Sequence, residues 1–248
     1  MSDPQPAHTP LHLPLPNPQS PTPNPKHPVT NTLRSDRSRF AVLWYRVVQW
    51  VMLSLFVTFL GLRATGRRNV PATGAALLVS NHLSHLDVFV LGLTLSRPLN
   101  YVARSSLFFP PLGFLIRSVG GFPIQREGIG TQGLKETLRR LRAGGIVALF
   151  PEGTRTRDGA LGPLKQGIAV LASRAGVPIV PAAIAGSFEA WPRSQILPRP
   201  HPIRVHFGKP IEPSVMAGRD PESLTCLIRE GILACQREAR RGLEHNRD

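Results

Sequence analysis

A histidine and an aspartate five residues apart are the side chains of this sequence best suited to acid–base chemistry. His82 follows an apolar run that ends at Val79, and Asp87 precedes the next apolar run. This junction predicts a buried strand, a turn and a helix, with His82 at the carboxyl end of the strand, where α/β folds commonly build their sites. A histidine is a good general base near neutral pH, and a carboxylate on its second ring nitrogen would fix its tautomer.

Asp87 also has a purely structural interpretation. Ser84 and Asp87 have the spacing of a capping box, with Ser84 as the N-cap of a helix that ends near Leu95. Both interpretations stay open, because a capping box alone accounts for an acid at this position. His85 is a second candidate base, but in the first helical turn it should point away from the strand end. Since no cysteine or serine stands out as a nucleophile, the hydroxyl to be activated would belong to a substrate.

Two arginines follow later predicted strands and are natural ligands for phosphate. Arg126 and Arg155 each come after a short apolar run, and strand ends gather on one side of a parallel sheet. Guanidinium groups bind phosphate oxygens in pairs, and backbone amides at Gly153 and Thr154 would assist. Two alternatives to a phosphate site remain. Both arginines could be ordinary surface charge, as most arginines in so basic a chain are. Glu152 could also form a structural ion pair that orients Arg155.

Strands and helices alternate along the chain. This alternation predicts an α/β fold, with a mostly parallel or mixed central sheet that helices cover on both faces. The predicted strands are 75–79, 99–103, 122–125, 146–150, 178–185 and 203–207, and the predicted helices are 87–95, 130–143, 165–175 and 221–240. A further short helix over 107–121 is expected to pack over the site.

The first 68 residues differ in composition from the rest. Residues 1–32 are rich in proline, which blocks helices and sheet ladders alike, and should form a disordered tail. Residues 33–68 contain a hydrophobic helix over Phe40–Leu62 with arginines near both ends. Because Arg46 interrupts its apolar run and basic residues flank both ends, we expect the helix to lie in one leaflet of a membrane; a membrane-spanning helix and a buried core helix are the alternatives. The α/β domain would then cover residues 69–248.

Charge narrows the class of partner. The net charge of +15 and the pI of about 11.5 favour an anionic partner: nucleic acid, anionic lipid or a phosphorylated substrate. Nucleic acid is the weaker choice, because aromatic residues are only 6% and no basic helix or mixed aromatic–basic stretch is present. Cys226 and Cys235 lack metal-ligand spacing and are expected to be free thiols in a reducing compartment. The polar N-terminus shows no cleavable signal peptide.

Four short motifs occur in an order that resembles the four sequence blocks of the glycerolipid acyltransferases, most closely the bacterial 1-acyl-sn-glycerol-3-phosphate acyltransferases. They are Asn81-His82-(x4)-Asp87, Phe122-Pro123-Ile124-Gln125-Arg126, Phe150-Pro151-Glu152-Gly153-Thr154-Arg155 and Val177-Pro178-Ile179-Val180-Pro181. The resemblance covers about residues 70–210 and the hydrophobic helix before them. The first motif alone is weakly specific, but its combination with the third is strongly so.

The resemblance implies an O-acyltransferase that moves a fatty acyl group from an acyl thioester to the free hydroxyl of lysophosphatidate, giving phosphatidate. His82 would be the general base and Asp87 would orient it. The phosphate of the acceptor would lie in a pocket formed by Arg126, Glu152, Gly153, Thr154, Arg155 and Lys165. Pro181 would bind the acyl donor or shape the site. No metal or prosthetic group is implied, and acyl-CoA or acyl carrier protein would be the co-substrate.

The resemblance also implies a location and partners. The hydrophobic helix would hold the site against an anionic membrane surface, on the cytoplasmic face of the inner (cell) membrane. Lysophospholipid would be drawn from one leaflet, and acyl carrier protein is a candidate protein partner.

Some positions depart from the family pattern and leave alternatives for the function. Arg104 and Ser106 stand where many members have a lysine and an acid, and Gln125 stands where an acid is frequent. The acceptor could therefore be another lysolipid, such as a lysophospholipid or a lyso-ornithine lipid. A different class is a non-catalytic basic protein of membrane surfaces, whose binding would fall with salt and would not depend on His82.

Overall fold

A mixed seven-stranded sheet forms the centre of the protein in a computed structural model. The structure describes residues 50–51, 53–104, 121–124 and 131–245. In chain order the strands are β1 (Arg63–Thr65), β2 (Ala76–Ser80), β3 (Leu99–Arg104), β4 (Gly121–Ile124), β5 (Ile146–Leu149), β6 (Ile179–Ala185) and β7 (Arg204–Phe207). Their order across the sheet is β1-β7-β6-β2-β5-β3-β4.

Five neighbouring strands, from β6 through β4, run parallel, whereas β7 is antiparallel to β6 and β1 is parallel to β7. The predicted α/β fold with a mixed sheet is therefore confirmed. Within the parallel block β2 lies between β5 and β6, with Val79 opposite both Leu149 and Pro181. The segments that follow β2 and β5 consequently leave the sheet at the same edge and side by side.

The helices are α1 (Asp87–Leu93), α2 (Thr131–Arg142), α3 (Gly167–Ala175), α4 (Ser187–Ala190), α5 (Pro213–Met216) and α6 (Pro221–Glu244), and residues 50–51 and 53–60 are also helical. The predicted start of the last helix at residue 221 is confirmed, and Asp220 caps it by accepting the backbone N–H groups of Glu222 and Ser223. The short helices α4 and α5 were not expected from the sequence, because a single turn is too short to show helical periodicity.

Helices cover both faces of the sheet, as alternation along β2 requires. On one face Leu78 packs into a core with residues of α1, of β7 and of the helical segment at 53–60. On the other face Leu77 and Val79 pack against α2, α3, α5 and α6. The side chains of β2 are all buried, so this strand forms the rigid base of the segment that carries His82.

The start of the sheet corrects the predicted N-terminal segment 33–68. The helical residues end at 60, Gly61 has a φ of 49°, and Arg63–Thr65 already form β1, which pairs with β7. A three-residue edge strand carries too little alternation to be recognised in a sequence. Residues 40–49 and 52 of the predicted helix Phe40–Leu62 lie outside the described residues, as do the proline-rich tail and residues 107–120 of the predicted helix 107–121. Within the described ranges, none of the helices has both the length and the hydrophobicity of a membrane span.

Candidate active site

The side chains of His82 and Asp87 are in direct contact at the carboxyl end of β2. His82 Nδ1 lies 2.8 Å from Asp87 Oδ2. The same oxygen accepts the backbone N–H groups of Leu83 and Ser84, at 2.6 and 2.8 Å. Because Oδ2 acts as the acceptor for these donors, Nδ1 carries the proton of the imidazole. The lone pair of Nε2 is left to take a proton from a substrate, which is the tautomer a general base needs.

The capping interpretation of Asp87 is also partly correct. Asp87 accepts the N–H of Ser84, and the Ser84 hydroxyl oxygen accepts the N–H of Leu86 at 3.2 Å, as in a capping box. However, α1 begins only at Asp87, and the Ser84 hydroxyl donates to the carbonyl of Trp191. The second carboxylate oxygen of Asp87 accepts from the hydroxyl of Ser187 at 2.7 Å. Asp87 is completely buried, so its carboxylate is held from both sides while it orients the His82 ring.

The segment after β5 fixes the backbone and the ring of His82. The His82 N–H donates to Glu152 Oε1 at 2.8 Å, and the His82 carbonyl accepts the N–H of Thr156 at 2.9 Å. The His82 ring stacks on the ring of Phe150, with centroids 4.0 Å apart and planes 15° apart. These contacts follow from the pairing of β2 with β5, and they hold the imidazole in one orientation.

Glu152 holds two backbone segments together. Its two oxygens accept the N–H groups of His82 and Gly162, at 2.8 and 2.9 Å. Its place in a phosphate pocket and its ion pair with Arg155 stay predictions. Burial raises the pKa of Glu152, and the N–H groups of Gly162 and His82 oppose that rise. The structure therefore makes Glu152 a residue that positions the His82 segment, because both of its oxygens face backbone N–H groups.

The turn after Glu152 presents the other predicted phosphate ligands near the surface. Gly153 has a φ of 70°, in the region that favours glycine, and both Gly153 and Thr154 are exposed. The side chain of Lys165 passes over the turn, since a Cβ added at Gly153 would lie 3.6 Å from Lys165 Cε. These residues do lie together beside the His82 segment, and their binding of phosphate stays a prediction.

Arg155 and His85 lie close together at the same edge of the sheet. Burial lowers the pKa of His85, and the charge of Arg155 is the next largest cause, followed by the charge of His82. Arg155 is half-buried, so its positive charge acts within a partly dehydrated space beside the two histidines. An anion that enters this space would meet Arg155 next to the candidate base.

Arg126 lies outside the described residues, but the strand before it is placed. β4 is the edge strand, and it lies three strand positions from β2, which corresponds to about 14 Å across the sheet. The predicted strand 122–125 is therefore confirmed as an edge strand, and the phosphate-binding role of Arg126 stays a prediction.

Pro181 lies within β6 rather than beside the histidine. It is buried opposite Val79, and its carbonyl accepts the N–H of Gly208 and the thiol of Cys235. Gly231 of α6 packs against its ring, since a Cβ added there would lie 3.1 Å from Pro181 Cβ. The contacts of Pro181 are thus with α6 and the end of β7, and a role in shaping the site would act through the pairing of β6 with β2.

Three residues of the site were not found from the sequence as positioning residues: Ser187, Trp191 and Asn81. Asn81 is buried and hydrogen-bonds both backbone groups of Ile184, which ties the end of β2 to β6. Ser187 follows β6 as His82 follows β2, so the same rule of polar residues after buried strands would have found it. Across the described ranges, no cluster of three histidine, cysteine or acidic side chains could hold a metal ion.

Comparison with known proteins assigns the family. The acyltransferase family model matches residues 61–185, half of the chain. The chain therefore belongs to the acyltransferase family, and the membership predicted from its four motifs is confirmed.

Named relatives and a solved structure agree with this assignment. A chloroplastic 1-acyl-sn-glycerol-3-phosphate acyltransferase of Arabidopsis thaliana is 32% identical over 170 residues, 66% of this chain and 47% of that protein. The enzyme of that name from Bacillus subtilis is 33% identical over 128 residues, 51% of this chain and 63% of that protein. The crystal structure of the 1-acyl-sn-glycerophosphate acyltransferase PlsC from Thermotoga maritima is 23% identical with a TM-score of 0.67, covering 88% of this chain and 85% of that one. This chain spans about half the length of the plant relatives, and the likeness to PlsC shows the fold.

Proposed function

We propose that this protein is a 1-acylglycerol-3-phosphate O-acyltransferase, which moves a fatty acyl group from an acyl thioester to the free hydroxyl of lysophosphatidate and forms phosphatidate. The observation that carries the proposal is the 2.8 Å contact between His82 Nδ1 and Asp87 Oδ2, which leaves Nε2 available as a base. The names of the curated relatives give the reaction and the acceptor.

The proposed chemistry needs one base and balances with the two substrates alone. Nε2 of His82 takes the proton of the acceptor hydroxyl as the hydroxyl oxygen attacks the thioester carbonyl, and Asp87 stabilises the imidazolium that results. The tetrahedral intermediate then collapses, the C–S bond breaks, and the thiolate takes the proton back from Nε2. The products are an ester and a free thiol, and His82 returns to its starting state.

The acceptor is proposed to be a phosphorylated lysolipid, because two cationic side chains lie near the segment that carries the base. Arg155 is near enough to lower the pKa of His85, and Lys165 passes over the adjacent turn. A phosphate bound between Arg155 and Lys165 would hold the glycerol hydroxyl near His82, and correct positioning of two reactants can supply much of the rate. Arg126 is proposed to complete the phosphate site from the segment after β4.

We further propose that the protein works on a membrane, at the cytoplasmic face of the inner (cell) membrane. In support, the helical residues at 50–60 expose large apolar side chains, among them Trp50 and Phe59, and the exposed Arg67 and Arg68 follow soon after. Apolar side chains beside arginines suit a helix that lies in the interface of an anionic leaflet. A lysolipid with a long acyl chain is itself resident there, so this location would bring the site to its acceptor.

An acceptor and donor screen tests the proposal. Purified full-length protein is mixed with lysophosphatidate and either acyl-CoA or acylated acyl carrier protein, and thiol release and the lipid product are measured. Thiol release with formation of phosphatidate is expected, and the faster thioester identifies the donor. If the protein acylates lysophosphatidylcholine or lyso-ornithine lipid but not lysophosphatidate, that lysolipid is the acceptor. If the protein binds vesicles in a salt-sensitive way but releases no thiol with any acceptor, it is a non-catalytic membrane-surface binding protein and not an enzyme.

A further inference from the structure

A proline-rich loop beside the candidate active site exposes two large apolar side chains at its tip. The tip loop, defined as residues 191–202, connects α4 to β7. Ile196 is 90% exposed and Leu197 is 75% exposed, and they are adjacent in the chain. Contiguous apolar side chains at a surface commonly mark a contact with another partner. The motifs of the acyltransferase family do not include this segment.

The tip loop is internally braced. Trp191 Nε1 donates to the carbonyl of Gln195 at 3.0 Å, and the Gln195 N–H donates to the carbonyl of Pro192 at 3.1 Å. The Arg199 N–H donates back to the carbonyl of Ala190 at 2.8 Å, which closes the base of the loop. The four prolines of the segment each fix a backbone φ angle. The apolar tip is therefore presented on a preorganised support, which lowers the entropy lost when a surface binds it.

The base of the tip loop contacts the segment that holds the candidate base. Ser84 donates its hydroxyl to the carbonyl of Trp191 at 2.8 Å, and the ring of Trp191 lies 5.1 Å from that of His85. The charge of Arg193 contributes to the lowered pKa of His85, after burial, Arg155 and His82. The base of the tip loop is consequently in direct contact with the segment that carries the candidate base.

The tip loop also adjoins the exposed helical segment at 50–60. The Ile203 N–H, just after the loop, donates to the Leu60 carbonyl at 2.8 Å, and the Ile203 carbonyl accepts the Arg63 N–H at 3.1 Å. Trp191 packs against the same core as the half-buried side chains of this helical segment. The helical segment and the base of the tip loop therefore pack on the same face of the sheet.

The charge of the tip loop fits an anionic surface. Arg193 and Arg199 flank the two apolar residues, His201 follows, and residues 190–203 contain no acid. An apolar tip between arginines is the pattern expected where side chains enter the acyl region of a leaflet and cations remain at the phosphate level.

We propose that the tip loop inserts Ile196 and Leu197 into an anionic lipid leaflet, with Arg193 and Arg199 at the level of the lipid phosphates, as a membrane contact separate from the helical segment. This contact would hold the candidate active site beside the leaflet. Only the purpose of this contact rests on the proposed function: the contact would let a lysolipid reach the site without leaving the membrane.

Vesicle flotation of the full-length protein tests the contact without reference to activity. The vesicles consist of phosphatidylcholine with or without phosphatidylglycerol, and the variant is Ile196→Ser with Leu197→Ser. We expect binding to vesicles that contain phosphatidylglycerol to weaken about tenfold or more, from the apolar area no longer buried. The matched control is Val170→Ser with Val215→Ser, which removes exposed valines from α3 and α5 on the opposite face of the sheet. The control should bind as the unmodified protein does.

An environment-sensitive dye at the tip reports insertion even where the helical segment dominates the affinity. In a Cys226→Ser background the buried Cys235 stays unlabelled, so a Leu197→Cys substitution carries the dye, with Val215→Cys as the control position. A blue shift at 197 and none at 215 on anionic vesicles is the expected result. An unshifted dye at 197 overturns the proposal. A dimer of the unmodified protein that is absent in the Ile196→Ser, Leu197→Ser variant also overturns it, since a second copy would then cover the tip. Insertion without acylation of lysophosphatidate would remove the proposed function and leave this contact standing.

Discussion

Asp87 Oδ2 accepts a hydrogen bond from His82 Nδ1 at 2.8 Å and also accepts the two backbone N–H groups of the turn that follows His82. One buried oxygen thus fixes both the ring and the chain that carries it. The other oxygen is held by Ser187, 100 residues away in the chain. The candidate base is therefore rigid because β2 and β6 are neighbours in the sheet.

Removal of the Ser187 hydroxyl should slow the reaction without weakening acceptor binding. In Ser187→Ala the carboxylate of Asp87 loses the hydroxyl that donates to Oδ1, so the His82 ring is held less firmly. We expect kcat to fall about tenfold while KM for the acceptor changes little. A matched control is Thr94→Val, which removes a buried hydroxyl that donates only within α1. Equal losses of kcat in the two variants would show that Ser187 acts on stability alone.

His85 is a reporter for the proposed phosphate site. Burial and then the charge of Arg155 lower its pKa, so Arg155→Met should raise the pKa of His85 toward the usual value. Binding of glycerol 3-phosphate should raise it too, since an anion favours the charged imidazole. The pKa is measured from the ring proton shifts of His85 by NMR. If glycerol 3-phosphate leaves the His85 pKa unchanged although the protein acylates lysophosphatidate, the phosphate binds elsewhere.

Glu152→Gln should separate positioning from stability. The substituted amide has one carbonyl oxygen for two N–H donors, so the His82 backbone is anchored less well and kcat should fall on the order of tenfold. The folded pKa of Glu152 is raised by burial, so ionisation of the wild-type side chain costs stability as pH rises above the unfolded value. Relative to wild type, the variant's free energy of unfolding should therefore increase from about pH 4 upward. A relative decrease over that range, measured by urea titration, would contradict the assignment.

Glu136 on α2 should show the opposite pH dependence. Hydrogen bonds from Arg139 and Arg140 lower its pKa to about 2, against the effect of partial burial. The ionised side chain therefore stabilises the fold above the unfolded value, and this contribution is lost as pH falls from about 5 toward 2. Glu136→Gln should lower the free energy of unfolding by about 1 kcal/mol at pH 7. The loss is this small because water screens surface ion pairs. The difference should be less than half as large near pH 3 in urea titrations, and a constant difference would contradict the shift.

Local features of the fold followed from the sequence. His82 and Asp87 are five residues apart, so a turn between a strand and a helix is enough to bring them together. The strand and helix pattern likewise depends on side chains within one short segment, which is why the end of β2 and the start of α1 were predicted within one or two residues.

Long-range contacts could not be read in the same way. The bond between Ser187 and Asp87 depends on β6 lying next to β2, and the sequence contains no direct record of strand order. The hydrogen bonds of Glu152 were not expected for a similar reason, because its partner Gly162 lies in a turn whose path is set by packing. The strand β1 was missed since three residues that begin with an arginine resemble the flank of a helix.

The central claim is that His82 is the general base of an acyl transfer. The most direct measurement is thiol release from an acyl thioester by purified His82→Ala in the presence of lysophosphatidate, compared with wild type at equal folded concentration, with Asp87→Asn and the exposed Thr154→Ala alongside. We expect release by the wild type, loss of release on the order of a thousandfold or more in His82→Ala, a smaller loss in Asp87→Asn, and retained activity in Thr154→Ala. Full activity in a folded His82→Ala variant would contradict the claim.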